Sequence, residues 1–593
     1  MNDTKPTLKE RLRLKRHSRI IKRHARKAEG ATIRHARRFL VQRWDKIREI
    51  RLHVIGWLAG VGVLIGIVGL QMIWFQQSYV TVAPVNGGTY AEAVRGPIQT
   101  LNPLYARTPA EISAVNLIFS SLYKYDTTGH LKGDLAKSIE NKNNQEFTVH
   151  LRRDARWHDG KPLTARDVVY TVNTMREPSS RSVAAVSWQG IAAEFIDDYT
   201  VRFLLPAPYV AFPQALTFAV LPSHLLEKIE PSALRESIFS SNPVGSGPFS
   251  FRLMQTVSNQ TNRKIVYLNA NKDYYEGHPR LDRLQLHTYK DDEAISQALK
   301  TGEVTGASDV SSDIARTVDQ SKFNVMARPV MSGVYLIFNM KNPVLKDKDV
   351  RTALRMATDT STIRKKLYGN PRPLHLPFIP DQVEGADTIP VPKADLDTAA
   401  KYLERKGWKL KNGIRTKGNT ELRFRIVTRQ NTEYEEALRT IVDQWSSLGV
   451  KLDAEVYDSR DGTRSFTGDI LQPRNYDILI DELVIGTDPD VFAFWHSAGL
   501  SNFSEYGNDI SDDALVGARE RSEAALRDAK YMSFARQWLS DIPAIGLFQS
   551  NILYVHTKTT RVIGEDEVIV NPNNHYASVL HWTAETGRVY KTP

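Results

Sequence analysis

The spacing of hydrophobic and polar positions changes several times along this chain, and each change predicts an element. From Val54 to Phe75 the sequence reads VIGWLAGVGVLIGIVGLQMIWF, 22 residues without a charge and with Gln71 as the interruption. At 1.5 Å per residue this run is long enough for a bilayer core of roughly 30 Å. Trp57 and Trp74 lie near its ends, where amphipathic rings favour the interfaces. The run has no polar face, so it predicts a membrane-spanning helix rather than a core helix, and it exceeds the apolar region of about 7–15 residues in a cleaved signal. Residues 79–90 (YVTVAPVNGGTY) then read as a linker running into a first strand. Further on, EFTVHLRRD alternates at Val149 and Leu151, which predicts a strand. At Thr164-Ala165-Arg166-Asp167 a helix opens with a capping-box arrangement: the Thr164 hydroxyl can accept the N3 backbone N–H, and Asp167 suits the positive end of the helix dipole. Residues 433–448 carry a helical period that ends at Gly449, before the alternating VKLDAEVY. Strands and helices mixed in this way predict an α/β class. A chain of 593 residues exceeds what one core supports, so two or three domains are expected.

Charge sharpens the reading of the N-terminal run. The net charge is +12, but residues 1–52 hold 18 Lys/Arg against 5 Asp/Glu, leaving 61 against 62 for residues 53–593. A nearly neutral body therefore follows a strongly basic arm. Residues 76–92 carry one charge, Glu92, so the positive-inside rule puts 1–52 in the cytoplasm and everything after about 78 outside. Within the arm, Arg23-His24-Ala25-Arg26 returns as Arg34-His35-Ala36-Arg37 eleven residues later, close to three helical turns, with Ile33, Leu40, Trp44 and Ile47 roughly marking an apolar stripe. A basic amphipathic helix on anionic lipid, a nucleic-acid-binding arm and a solvated topogenic tail all fit that pattern, and the lipid reading is the one carried forward, with no nucleic acid expected. There is no cysteine, which removes disulfides, thiolate metal sites, Cys nucleophiles and a lipidated Cys anchor. Gly245-Ser246-Gly247 lacks the spacing of a nucleophile elbow, no HExxH or P-loop is present, and the histidines are scattered. No enzyme activity, cofactor or resident metal is expected.

The block from Leu131 to Met175 carries a family pattern: Leu135-Ala136, Phe147, Leu151-Arg152, Trp157-His158-Asp159-Gly160, Pro162-Leu163-Thr164-Ala165 and Asp167-Val168-Val169. It continues in order with Leu101-Asn102-Pro103-Leu104, Leu221-Pro222-Ser223-His224-Leu225, Pro243 to Phe249, Thr301-Gly302-Glu303-Val304, Tyr335 to Asn339, Val350 to Leu354, Ala400 to Trp408 and Asp488-Pro489-Asp490. Over about residues 88–582 the chain resembles the extracellular solute-binding proteins of family 5, the peptide- and nickel-binding components of ABC transporters. The resemblance implies a two-lobed periplasmic-binding-protein-like fold, of the large cluster C type, here behind an N-terminal transmembrane helix. The expected organisation is a basic cytoplasmic arm at 1–52, a transmembrane signal-anchor helix at 53–77 and a linker at 78–88. Lobe I then covers 89–330 with a subdomain at about 120–190, lobe II covers 331–545, and residues 546–593 return to lobe I. The implied function is capture of an oligopeptide-like or other extended solute between the lobes and its delivery to ABC permease subunits, by a protein tethered in the cell membrane. A surface scaffold or chaperone-like protein that keeps the fold but binds proteins is the other reading.

Family members that bind peptides place an aspartate, in a pattern W-x-x-D-x-x-D-P, against the α-ammonium of the ligand. Anchored on Asp488-Pro489, that pattern puts Glu482 where the Trp belongs and Ile485 where the Asp belongs. A buried ammonium without a carboxylate is costly, so Glu482 becomes the candidate to supply the charge. Asn102, Tyr335, Asn339, Trp495 and His496 complete the expected ligand-binding set. Trp157 with Asp159-Gly160 reads as a turn-and-packing motif, and Gly245 and Gly247 as backbone geometry.

Overall fold

The structure, a computed structural model, describes residues 44–458 and 465–590. The repeated motif of the basic arm lies outside the described residues. The chain divides into two compact units, one holding the N-terminal helix Trp44–Tyr79 and the other spanning Pro84–Thr586. Arg51–Trp74 of that helix is long and apolar enough to cross a membrane. Val80–Val85, expected to be a linker, forms a short strand.

Ten strands of the body form one mixed sheet, and we number them in chain order: β1 Thr89–Arg95, β2 Phe249–Ser258, β3 Arg263–Ala270, β4 Arg283–Tyr289, β5 Gly306–Ala307, β6 Phe323–Phe338, β7 Arg423–Arg429, β8 Lys451–Tyr457, β9 Ile478–Val484 and β10 Ala544–Thr557. Across the sheet they run β8-β7-β9-β6-β10-β5-β1-β4-β3-β2. One half is therefore built from β1 to β5 and the other from β7 to β9, joined by the two long strands β6 and β10. Those two pair antiparallel from Phe323↔Thr557 to Pro329↔Asn551, and again from Gly333↔Gln549 to Ile337↔Ala544. The register breaks between Pro329 and Gly333 because proline has no N–H to give to the ladder. At the break the strand turns its peptide groups outward: Met331 donates to Val570 O and its carbonyl accepts from Ile485 and Gly486.

Each half has its own core. In the first, a four-stranded antiparallel sheet includes Glu146–Leu151, whose Phe147, Val149 and Leu151 point inward as the alternation predicts. The helix Ala165–Arg176 opens at Thr164, where the Asp167 carboxylate accepts the Thr164 N–H at 2.8 Å. The same carboxylate, buried, takes Ser223 N–H at 2.9 Å, the Ser223 hydroxyl at 2.7 Å and Trp157 Nε1 at 3.4 Å. Trp157 thus serves packing around a shared acceptor. At Gly245 a Cβ would sit 1.9 Å from the Ile118 carbonyl, so that position requires glycine for close approach of two chains. In the second half the helix Thr432–Leu448 follows β7, stops at Gly449 with φ +86 and leads into β8, which pairs parallel with β7.

Candidate ligand-binding cleft

Where β6 and β10 cross from one half to the other, the molecule holds a cavity of about 380 Å³, within the range of small-molecule sites. Both halves line it. The first contributes Arg95 at the end of β1 and Asp309 in the loop after β5; the second contributes Glu433 and Tyr434 and Glu482 of β9; the joining strand β10 adds Ser550.

Local structure explains how these side chains arrive there. Asp309 adopts φ +50, a left-handed conformation tolerated by Asp, immediately before Ser311 caps the short helix Ser312–Thr317. Asn431 caps Thr432–Leu448 by accepting from Glu433 N–H at 2.9 Å and Tyr434 N–H at 3.1 Å, which presents the first helical turn to the cavity. β7 pairs with β9 only over Ile478–Ile480. Past that point Glu482 is partly exposed and Val484 is 58% exposed on the same strand face, two residues apart.

Charge in the cleft is uneven. Arg95 pairs with Asp292, and Arg429 pairs with the buried Asp481. Burial pushes the Asp481 carboxyl up while Arg429 opposes it. Among the described residues no Lys, Arg or His is within ion-pair distance of Asp309, Glu433 or Glu482. Enclosure by protein pushes the Asp309 carboxyl up to about 6; Arg95 works against this and the carboxylates of Glu482 and Glu433 add to it. The Asp309 side chain retains accessible surface that opens onto the cavity, so it is surrounded by protein yet wetted. Glu433 Oε1 accepts Ser312 N–H at 2.8 Å, a hydrogen bond between the halves, and Glu482 Oε2 accepts the Tyr434 hydroxyl at 3.1 Å.

Away from this cavity the halves also meet. Val210 N–H donates to Arg519 O at 3.0 Å, and Asn144 Nδ2 donates to Glu520 O at 3.0 Å. The Arg519 guanidinium lies 4.5 Å from the Tyr209 ring of the first half and 4.4 Å from Phe492 of its own, while pairing with Asp490 at 3.0 Å.

Of the eight residues expected to bind ligand, Glu482 lines the cavity, and the structure places the other seven elsewhere. Asn102 is fully buried, its Oδ1 accepting Leu104 N–H at 3.1 Å, and it shapes its own loop. Tyr335 is buried with its hydroxyl on Leu376 O at 2.9 Å and its ring edge-on to Trp495. Trp495 is likewise a core ring, its Nε1 3.3 Å from Pro377 O. Asn339 donates to Tyr476 O at 3.0 Å and closes a turn through Lys341 N–H. Ile485 packs in the core of the second half and gives its N–H to Met331 O. Asp488 is held by Arg527 at 2.8 Å. His496 stacks on Phe492 at 4.0 Å and its Nδ1 accepts Ala498 N–H. The common reason is satisfaction: each has its polar atoms or rings engaged by neighbours. Sequence reasoning missed Arg95, Asp309, Glu433, Tyr434 and Ser550, which stand at a strand end, in a loop, at a helix start and within β10, far apart in the chain.

Comparison with known proteins places this geometry. The family model of bacterial extracellular solute-binding proteins, family 5, matches residues 130–505, more than half of the chain. The oligopeptide-binding protein AppA of Bacillus subtilis is 27% identical over 486 residues, covering 79% of this chain and 87% of that protein. Its solved structure in complex with a nonapeptide superposes with a TM-score of 0.71 at 24% identity, covering 85% of this chain and 100% of that one. NikZ from Campylobacter jejuni in complex with Ni(L-His) gives a TM-score of 0.71 at 25% identity, covering 84% of this chain and 99% of that one. The two halves are thus the lobes of a periplasmic-binding-protein-like α/β fold, and the chain belongs to the bacterial extracellular solute-binding proteins of family 5.

Proposed function

We propose that this protein is a membrane-anchored receptor that captures an oligopeptide-like or other extended solute between its lobes and delivers it to an ABC permease. The observation that carries the reading is the cavity at the β6–β10 crossing, to which each lobe brings polar side chains and where Glu482 is open. Lobe I is taken as 89–330 with the return at 546–593, and lobe II as 331–545. Closure then follows from the crossing strands: a solute touching both lobes stabilises the closed state by its contacts there, and only by those. In place of the aspartate that Ile485 replaces, Glu482 supplies the carboxylate for a ligand ammonium, held in orientation by the Tyr434 hydroxyl. Binding, not bond-making, is the chemistry assigned.

Support for the anchor comes from the apolar helix Arg51–Trp74 and the basic residues before it. One span would keep the body at the outer face beside its permease, with the arm on anionic lipid.

Native mass spectrometry of the full-length chain in detergent, before and after denaturation and refolding, tests the function. A ladder of peptides released by that treatment is expected. A mass equal to the bare chain, unchanged on adding peptide mixtures, would overturn the peptide reading.

A further inference from the structure

Three carboxylates face the cleft with no cation paired to them among the described residues. Asp292 has Arg95 and Asp481 has Arg429, but among the described residues no cation stands at ion-pair distance from Asp309 on one lobe or from Glu433 and Glu482 on the other. Uncompensated like charges around one cavity repel one another, and this arrangement persists at a cost unless something positive enters. Among the described residues no group of His, Asp or Glu is arranged to hold a metal ion. A second observation points to a ligand independently. Ser550 is 8% exposed, lines the same cavity, and its Oγ is buried without a hydrogen-bond partner. Buried hydroxyls are ordinarily satisfied, and this one can accept from an ammonium or donate to a carbonyl.

We infer that the cleft selects solutes bringing two or more positive charges, engaged by Asp309 on one lobe and Glu433 and Glu482 on the other. The shared chemistry is that of peptides with Lys or Arg side chains and of aliphatic polyamines. This rests on the solute-receptor reading and adds a charge requirement to it. A cation between Asp309 and Glu482 would touch both lobes, so the same contact that neutralises the cavity would favour closure.

The test is calorimetric titration of the full-length chain in detergent with three probes of different charge: Ala-Ala-Ala, Lys-Ala-Lys and spermidine. Lys-Ala-Lys is expected to bind at least about tenfold more tightly than Ala-Ala-Ala, with the difference shrinking at high salt. Glu433→Gln should weaken Lys-Ala-Lys by about tenfold while leaving Ala-Ala-Ala within about threefold, whereas Glu482→Gln, which also removes the partner of the α-ammonium, should weaken both peptides, and Lys-Ala-Lys by about tenfold. Both variants keep an oxygen to accept from Tyr434 or Ser312, and an unchanged melting temperature shows that the fold is intact. Spermidine binding as tightly as Lys-Ala-Lys would assign the site to the charges alone; spermidine failing where Lys-Ala-Lys binds would assign it to cationic peptides. Equal affinity for the two peptides would overturn the charge requirement and leave the receptor reading standing. Binding of none of the three would overturn the inference, and empty native mass spectra would remove the receptor reading with it.

Discussion

Replacing Asp309 by Asn should stabilise the unliganded protein, and only above a particular pH. The Asp309 carboxyl stands at about 6 in the folded chain against an ordinary 3.8, because enclosure and the neighbouring Glu482 and Glu433 disfavour its charge more than Arg95 favours it. A carboxyl raised on folding binds more protons in the native state between those two values. Stability therefore falls as pH rises from about 4 to about 6, and the loss is complete above that. The full displacement corresponds to about 3 kcal/mol. Because the side chain opens onto cavity water, screening reduces the effect to about 1 kcal/mol. Asn is nearly isosteric and also tolerates the φ of +50 found here, so backbone strain should not obscure the result. For a body of this size that is a melting temperature raised by about 1 °C at neutral pH, vanishing as pH falls toward 4. Differential scanning fluorimetry of parent and variant across that pH range reads it directly. A variant less stable at neutral pH, or a difference that does not change with pH, would refute the claim that Asp309 is ionised at a cost. The same substitution should weaken a dicationic ligand, which is the trade expected where a binding site stores unfavourable charge.

Three other outcomes are expected. Tyr209→Leu removes the ring facing Arg519 across the lobes while leaving the Arg519–Asp490 pair intact, so closure should weaken by about 0.5–1 kcal/mol. A two- to fivefold loss of ligand affinity by calorimetry would follow, and an unchanged affinity would show that the stack does not contribute to closure. Asp167→Ala strips a buried acceptor from Thr164 N–H, Ser223 N–H and the Ser223 hydroxyl, costing about 3 kcal/mol and lowering the melting temperature by about 3 °C; a loss under about 1 kcal/mol would mean that those donors find other partners. Since the chain has no cysteine, Ala31→Cys and Lys137→Cys can each be the sole thiol. An impermeant maleimide should label the second and not the first on intact cells, and labelling of both or of the first alone would refute the proposed orientation.

Legibility followed range. The helix Thr432–Leu448 was readable to within a residue at its start and to the residue at its end, where Gly449 stops it, because an αL glycine after a 3.6-residue period is a local signal. The inward side of Glu146–Leu151 was readable for the same reason. At Thr164 the helix start was readable and the capping box forms, with the Asp167 carboxylate taking the Thr164 N–H; what the sequence did not show is that the same carboxylate also takes the Ser223 N–H and hydroxyl. Tyr335 and Trp495 were misplaced because composition cannot tell a cleft aromatic from a core aromatic; burial against Trp538 decides it.

By itself the sequence determined the α/β class, the apolar helix, the charge asymmetry between arm and body, and, through its ordered motifs, the family. All of these are properties of residues close in the chain or of patterns that persist along it. Only the tertiary structure decided which side chains meet in the cleft. Asp309, Glu433, Glu482 and Ser550 come from four separate elements, and what brings them together is the crossing of β6 and β10 with its register break at Pro329. That no cation among the described residues pairs with the three carboxylates is likewise a fact of distance in space, since the charges along the chain leave the body almost neutral.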